Sequence, residues 1–394
     1  MPIERVKQIL AATEAVEGTA ETIVAGDGGI IAVDPSYTPD IQSFKREPVR
    51  ETLSRIGVVT GRRGAAVNFK SEMRGSGSAT TAPPFGKYFQ SAGLEEKNLD
   101  QINIGAITGG PFEAGEVITG GTSAATGIVT REAATGATEL LFITTAGTFV
   151  TTEVITGSDS AATATSSAGP TQKGLVYRPR PVATCEDNAM TVKFVESGLC
   201  NLAGTSLETI IKTIKGARSN IQFDFVSGEP VMITHEMMGV YKAPVDGSLF
   251  SPVVYGTVIP KPFLNASMTV NGVSLLLSSM NLNLNNVLTL RQDVNDADGY
   301  ISAVITDRDP AGTIDPELTT IAIHDFHGLL TADTEFYIEA TVGTTTGNQF
   351  IIAIPNAQYT ELPNGEREGI TTVQAGFVLN AQANIDTDFF LMSI

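Results

Sequence analysis

Asn220-Ile-Gln-Phe-Asp-Phe-Val-Ser-Gly-Glu-Pro-Val-Met-Ile-Thr-His-Glu-Met-Met-Gly-Val-Tyr241 is the stretch on which the fold turns. Ile221, Phe223 and Phe225 alternate with Gln222 and Asp224, the period-two pattern of a strand with one apolar and one polar face. Ser227-Gly228-Glu229-Pro230 supplies a turn, because Gly tolerates positive φ and Pro ends strand pairing. Val231, Ile233 and Met237 then alternate with Thr234 and Glu236 on the return arm. The stretch therefore reads as a hairpin with one buried face and one wet, carboxylate-bearing face.

Composition fits that reading. The 394 residues include 39 Gly, 19 Pro and no Trp, a balance that favours turns and short strands over long helices. This length admits two or three domains and a sizeable core. There are 25 Lys and Arg against 43 Asp and Glu, a formal net charge of −18. Such a balance argues against holding nucleic acid by phosphate neutralisation, which needs clustered cations. The two cysteines, Cys185 and Cys200, make no disulfide framework and suit a reducing cytoplasm, with a bridge between them left open. No long apolar core follows the charges of the first seven residues, so no signal peptide is expected. The most apolar window, residues 273–284, is broken by Ser278, Ser279, Asn281 and Asn283, so no membrane span is expected.

Along the chain, residues 1–37 read as an extended N-terminal arm with little of its own to bury. Residues 38–101 and 174–394 read as one β domain. Within it, Val67, Phe69, Ser71 and Met73 alternate with Asn68, Lys70 and Glu72, and Pro83-Pro84 opens a short helix that Gly93 stops. Met280, Leu282 and Leu284 alternate with Asn281, Asn283 and Asn285. Phe336, Ile338, Ala340 and Val342 alternate with Glu335, Tyr337, Glu339 and Thr341. A longer helix is expected from Pro316 to about Leu330, capped by Asp315, with Leu318, Ile321, Ala322, Phe326 and Leu329 as its apolar stripe.

Residues 102–173 differ in style, being rich in Thr, Ala and Gly. Phe112-Glu-Ala-Gly-Glu-Val-Ile-Thr-Gly120 recurs as Phe149-Val-Thr-Thr-Glu-Val-Ile-Thr-Gly157, and Ser123-Ala-Ala-Thr126 as Ser160-Ala-Ala-Thr163, both 37 positions on. These read as a small all-β inserted domain of two related units, lying on the surface. The fold class expected is thus mainly β: an antiparallel sandwich or half-barrel with one or two helices, plus this insert.

Motifs for chemistry are absent. There is no Gly-x-Ser-x-Gly, P-loop, His-Glu-x-x-His or paired Cys-x-x-Cys. His324 and His327 share a spacing that suits two ligands on one helix face, but nothing supplies a third, so no metal and no cofactor are expected. His235 falls on the apolar side of its strand and reads as a core histidine. Asp293, Asn295, Asp296 and Asp298 before Gly299 read as a solvated turn, since their spacing fails that of a calcium loop. Asn265-Ala266-Ser267 fits a glycosylation acceptor by chance. Catalysis is not expected.

Several segments together resemble the major tail tube protein of long, flexible-tailed bacteriophages. They are Glu14–Ala20, Phe69–Gly75, Pro83–Leu94, Asp224–Glu229, Arg291–Asn295 and Ile354–Gln358, in that order and covering most of the chain outside about 102–173. The resemblance implies a subunit of stacked hexameric rings whose strands join into one inner β-barrel, located in the virion tail and assembled in the host bacterial cytoplasm. It implies tape measure, tail terminator and distal tail proteins as partners, with double-stranded DNA passing without tight binding. Asp224, Glu236, Glu335 and Glu339 are then the lumen-facing acidic candidates, since carboxylates repel phosphates. The alternatives are another ring-forming tail protein, a terminator or distal tail component, and a β-rich adhesion or receptor-binding virion protein.

Overall fold

The computed structural model describes residues 6–47, 49–52, 54, 56–181, 188–200, 207–264, 266–382 and 386–394; Cys185, Asn265 and the side chain of Cys200 lie outside what it describes. The chain is mainly β, with antiparallel pairing between its strands and two short helices. The hairpin around residues 220–241 is its spine. Leu207–Val226 pairs with Met232–Gly247, Ile221 against His235 and Phe223 against Ile233. Ile221, Phe223, Phe225, Ile233 and Met237 are buried, as the alternation requires.

A central sheet grows from this spine. Val59–Glu72 pairs with the outer edge of the return arm, and Ala32–Phe44 pairs with Val59–Glu72. On the other side Leu277–Asn283, Ala311–Pro316 and Ala375–Asn380 follow in turn. Phe350–Glu361 then carries the pairing into a second sheet. Its C-terminal half meets Ala375–Asn380, while its N-terminal half meets Phe336–Val342 on one edge and Phe390–Ser393 on the other. The main core lies between the two sheets. The Gly86–Ser91 helix fills it: Phe89 packs edge-on against both Phe223 and Tyr177, and Phe85 lies 5.7 Å from Phe350. Six residues suffice for this helix because its aromatic side chains, not its length, bury the apolar area.

Part of the expected extended arm, residues 7–13, packs into the body of the chain. Lys7–Thr13 is a strand paired along its whole length with Met190–Cys200, and Ile9, Leu10 and Ala11 are at most 1% exposed. Ile9, Ala11 and Ile30 belong to the main core. Three consecutive apolar residues with both faces covered show no alternation, which is why the segment did not read as a strand.

The expected long helix from Pro316 is also corrected. Pro316 ends a strand, Glu317 bridges to Thr372, and the helix spans only Phe326–Thr331. Its cap is Asp325, whose carboxylate accepts from the Gly328 amide, not Asp315. Asp315 instead accepts from the amides of Ser278 and Ser279 and from Arg367. Of the expected stripe, Leu318 and Ile321 are exposed, whereas Phe326, on the short helix, is buried in the main core and Leu329 packs against it.

The insert forms a closed unit with its own core around Phe112, Ile118, Phe142, Phe149 and Ile155. Its strands run in order Leu94–Asn103, Glu139–Ala146, Thr126–Val129, Val117–Gly120, Val154–Gly157 and Thr163–Thr165, and bridges from Ile104 to Ser166 and Thr108 to Thr163 complete the circuit. Closure leaves few strand edges to satisfy. The unit is not merely perched on the surface. Ile128, Leu141 and Ile143 share a core with Val176, Ile351, Ala353 and Met392 of the second sheet.

Candidate functional site

The open face of the central sheet collects the polar residues of the alternating strands. Register partners on neighbouring strands share a face. One row therefore runs Asn68, Glu236, Asn220; the next Lys70, Thr234, Gln222, Asn283; the next Glu72, Met232, Asp224, Asn281, Thr313. The face is thus dominated by amides and carboxylates, with Lys70 as the cation in these rows.

The carboxylates are tied to the amides. Asn220 Nδ2 donates to Glu236 Oε2 at 3.2 Å and to Asn283 Oδ1 at 3.1 Å. Asp224 Oδ1 accepts from Gln222 Nε2 at 3.0 Å and from Asn281 Nδ2. Further along, Asn380 Nδ2 donates to Glu335 Oε1 at 2.7 Å and to Gln358 Oε1 at 3.0 Å. Asn and Gln are neutral donors, so they fix the acids' orientation without cancelling their charge. Glu236 and Glu335 are exposed and Asp224 half-buried. The result is a negatively charged, hydrogen-bonded surface.

Its extent is limited by a second hairpin, Asn286–Gln292 with Tyr300–Arg308, which lies over the distal half of the spine. Gly64 and Gly216 permit this approach. A Cβ at Gly64 would come 2.6 Å from Leu290 Cδ1, and Gly216, at φ 56°, lies against Ser302. Lys215 pairs with Asp296 at 3.2 Å in the same contact. Only the turn-proximal half of the spine therefore keeps its polar face open.

Glu339 does not join that face. It is 8% exposed, lies on the outer side of the second sheet and is covered by the insert. Arg131 of the insert forks it, with Nε to Oε2 at 3.0 Å and a terminal nitrogen to Oε1 at 2.7 Å, and Tyr337 donates its hydroxyl at 2.8 Å. Burial alone would lower the Arg131 pKa, but Glu339 outweighs it and holds the guanidinium above its ordinary value. Burial pushes the Tyr337 hydroxyl well up, so it stays a donor. The alternation placed Glu339 on a polar face; which molecule or segment covers that face is a tertiary matter.

The histidines are kept apart. His324 is 4% exposed and bonds the Tyr359 hydroxyl at 3.0 Å, whereas His327 is exposed on the short helix. His235 is fully buried, with Nε2 2.9 Å from Ser71 Oγ and its ring stacked on Phe69 at 4.7 Å. In the acidic turn, Asp293 accepts from the Asn295 amide and Asp296 from the Asp298 amide, so these carboxylates serve the turn itself. Among the described residues no three His, Cys, Asp or Glu side chains group as metal ligands would, and no helix is long and apolar enough to cross a membrane.

The amides were visible in the sequence as Asn281, Asn283 and Asn285, but their partnership with Asp224 and Glu236 depends on cross-strand register that sequence spacing does not supply. Compared with protein-family models and with curated proteins, the chain matches none.

Proposed function

We propose that the chain is a structural, self-assembling subunit of a tube, of the kind formed by the major tail tube proteins of long, flexible-tailed phages. In this reading hexameric rings stack around an electronegative channel. One observation carries it: the open acidic face of the central sheet runs out to a long strand, Ala32–Phe44, whose second edge meets no strand among the described residues. Away from Pro35 and Pro39, which lack an amide donor, this free edge is a template for pairing with another chain. Placed against a second copy, it extends the sheet and with it the acidic face; a closed ring of copies removes the open edge altogether. The same hairpin carries exposed Ile41, Phe44, Val58 and Val59, apolar surface that suits burial in an assembly.

In such a tube Asp224, Glu236 and Glu335 line the channel. Fixed carboxylates repel phosphates, and amides offer no cation to release counterions, so DNA passes without being held. The tape measure, terminator and distal tail proteins are the partners that this role requires. Glu339, paired with Arg131 beneath the insert, has no part in the lining.

Negative-stain microscopy of the purified chain at rising concentration tests the proposal. Long hollow tubes are expected. Isolated rings that never polymerise would replace it with a terminator or distal-tail role, and a chain that stays monomeric at every concentration would sink both.

A further inference from the structure

The two repeats of the insert cross over each other. In the central ladder Ile118 pairs with Gly157, Thr119 with Thr156, and Gly120 with Ile155. Moving each residue by the 37-position offset exchanges the two sides of this register, so a pseudo-two-fold axis passes through the Thr119–Thr156 pair.

Two buried acids obey the same exchange. Glu153, 1% exposed, accepts from the amides of Thr122 at 3.2 Å and Ser123 at 3.0 Å and from Ser123 Oγ at 2.9 Å, all in the first repeat. Glu116, 0% exposed, accepts from the amides of Asp159 and Ser160 at 3.1 Å each and from Ser160 Oγ at 2.8 Å, all in the second. Each also takes an amide three residues upstream, Val150 for Glu153 and Glu113 for Glu116. The serine hydroxyls in turn accept from the amides of Ala125 and Ala162. Gly120 and Gly157 leave the space, since a Cβ on either would collide with the opposite carboxylate. Ala124 and Ala161, at φ 54° and 53°, complete the matching turns. Burial raises the Glu153 carboxyl, but its hydrogen bonds from Ser123, Val150 and Thr122 outweigh this and hold it below its ordinary value.

We infer that each carboxylate is the closing ligand of the other repeat's turn, so that the two repeats order as one cooperative unit. Successive backbone N–H groups in a turn form an anion-binding nest. Here each nest is filled by the acid of the partner repeat, and the central ladder connects the two. Without its acid, a nest leaves buried donors unsatisfied, and Gly120 or Gly157 loses its packing in the shared ladder. Loosening one turn therefore loosens the strand that presents the second acid.

Hydrogen exchange of the full chain tests this. Glu116→Gln and Glu153→Gln are each expected to raise exchange in both turns, residues 119–125 and 156–162, by a common factor of about tenfold or more, as loss of a charge-assisted hydrogen-bond set implies. The spine at residues 220–226 is expected to keep its protection. Ser123→Ala and Ser160→Ala, which remove a hydroxyl and leave both acids, are the milder pair should the Gln variants unfold the unit; each is expected to loosen both turns to a smaller, matched degree. Loosening confined to the turn facing the altered group, in either set, would overturn the inference.

Discussion

Replacing His235 and its partner by apolar residues should change how the protein responds to acid. His235 sits at the centre of the spine, fully buried among Phe69, Tyr88 and Phe89, with Ser71 Oγ as its hydrogen-bond partner and, among the described residues, no partner at Nδ1. Burial pushes its pKa down from 6.5 to about 3. Folded and unfolded states therefore differ in protonation between these values. Above pH 6.5 both are neutral at this site and its stability contribution is complete. As pH falls below 6.5 the unfolded chain takes up the proton and the folded one does not, so stability is lost at about 1.4 kcal/mol per pH unit until about pH 3. From neutral pH to 4.5 the loss from this residue is roughly 2–3 kcal/mol.

The double variant His235→Phe with Ser71→Ala removes the titration and leaves no orphaned hydroxyl. At pH 7.5 its stability should differ from the parent by less than about 1.5 kcal/mol, the cost of a similar-volume core exchange. At pH 4.5 the difference should have moved by roughly 2–3 kcal/mol in the variant's favour. Urea midpoints of both proteins at the two pH values provide the measurement. Carboxylates and His324 contribute to both proteins alike and cancel in the comparison. A difference that stays constant with pH would refute the reasoning, because it would mean that His235 is as easily protonated inside the fold as outside it.

Removing residues 107–169 should not leave a well-behaved subunit. The insert covers Ile351, Ala353, Phe390 and Met392 of the second sheet, so the shortened chain should bind a dye for exposed apolar surface and sediment as aggregate; a soluble chain with native exchange protection in residues 350–353 would show that the cover is dispensable. Phe44→Asp with Val59→Asp, at the exposed end of the Ala32–Phe44 hairpin, should abolish assembly while shifting the monomer's thermal midpoint by no more than a few degrees. Tubes of normal length from that variant would place the contact elsewhere. Asp224→Lys with Glu236→Lys should make assembled tubes retain duplex DNA at low salt and release it as salt rises; unchanged retention would remove these residues from the channel.

Two of the segments that resemble tail tube proteins, Phe69–Gly75 and Asp224–Glu229, also supply Glu72 and Asp224 to the acidic face. The resemblance rests on scattered segments, whereas the face is a single surface built by register. Three of the four acids expected there, Asp224, Glu236 and Glu335, are bonded to amides on the polar side of the strands. The fourth, Glu339, anchors the insert.

Local chemistry by itself determined the spine, its turn, the Gly86–Ser91 helix, the mainly-β class and the buried place of His235. All depend on neighbours within a few residues, where alternation and turn chemistry act directly. It also exposed the repeat, because a 37-residue offset is a property of the string. Tertiary structure alone decided the rest. The apolar spacing after Pro316 suits a helix, yet Glu317 finds a strand partner in Thr372, more than fifty residues away, and the pairing wins. Lys7–Thr13 is a strand because Met190–Cys200 lies ready beside it. Glu116 and Glu153 are each buried because the other repeat supplies the amides that make burial affordable. Side-chain character sets which face of an element is wet or dry, but what comes to lie on that face is fixed only when distant segments meet.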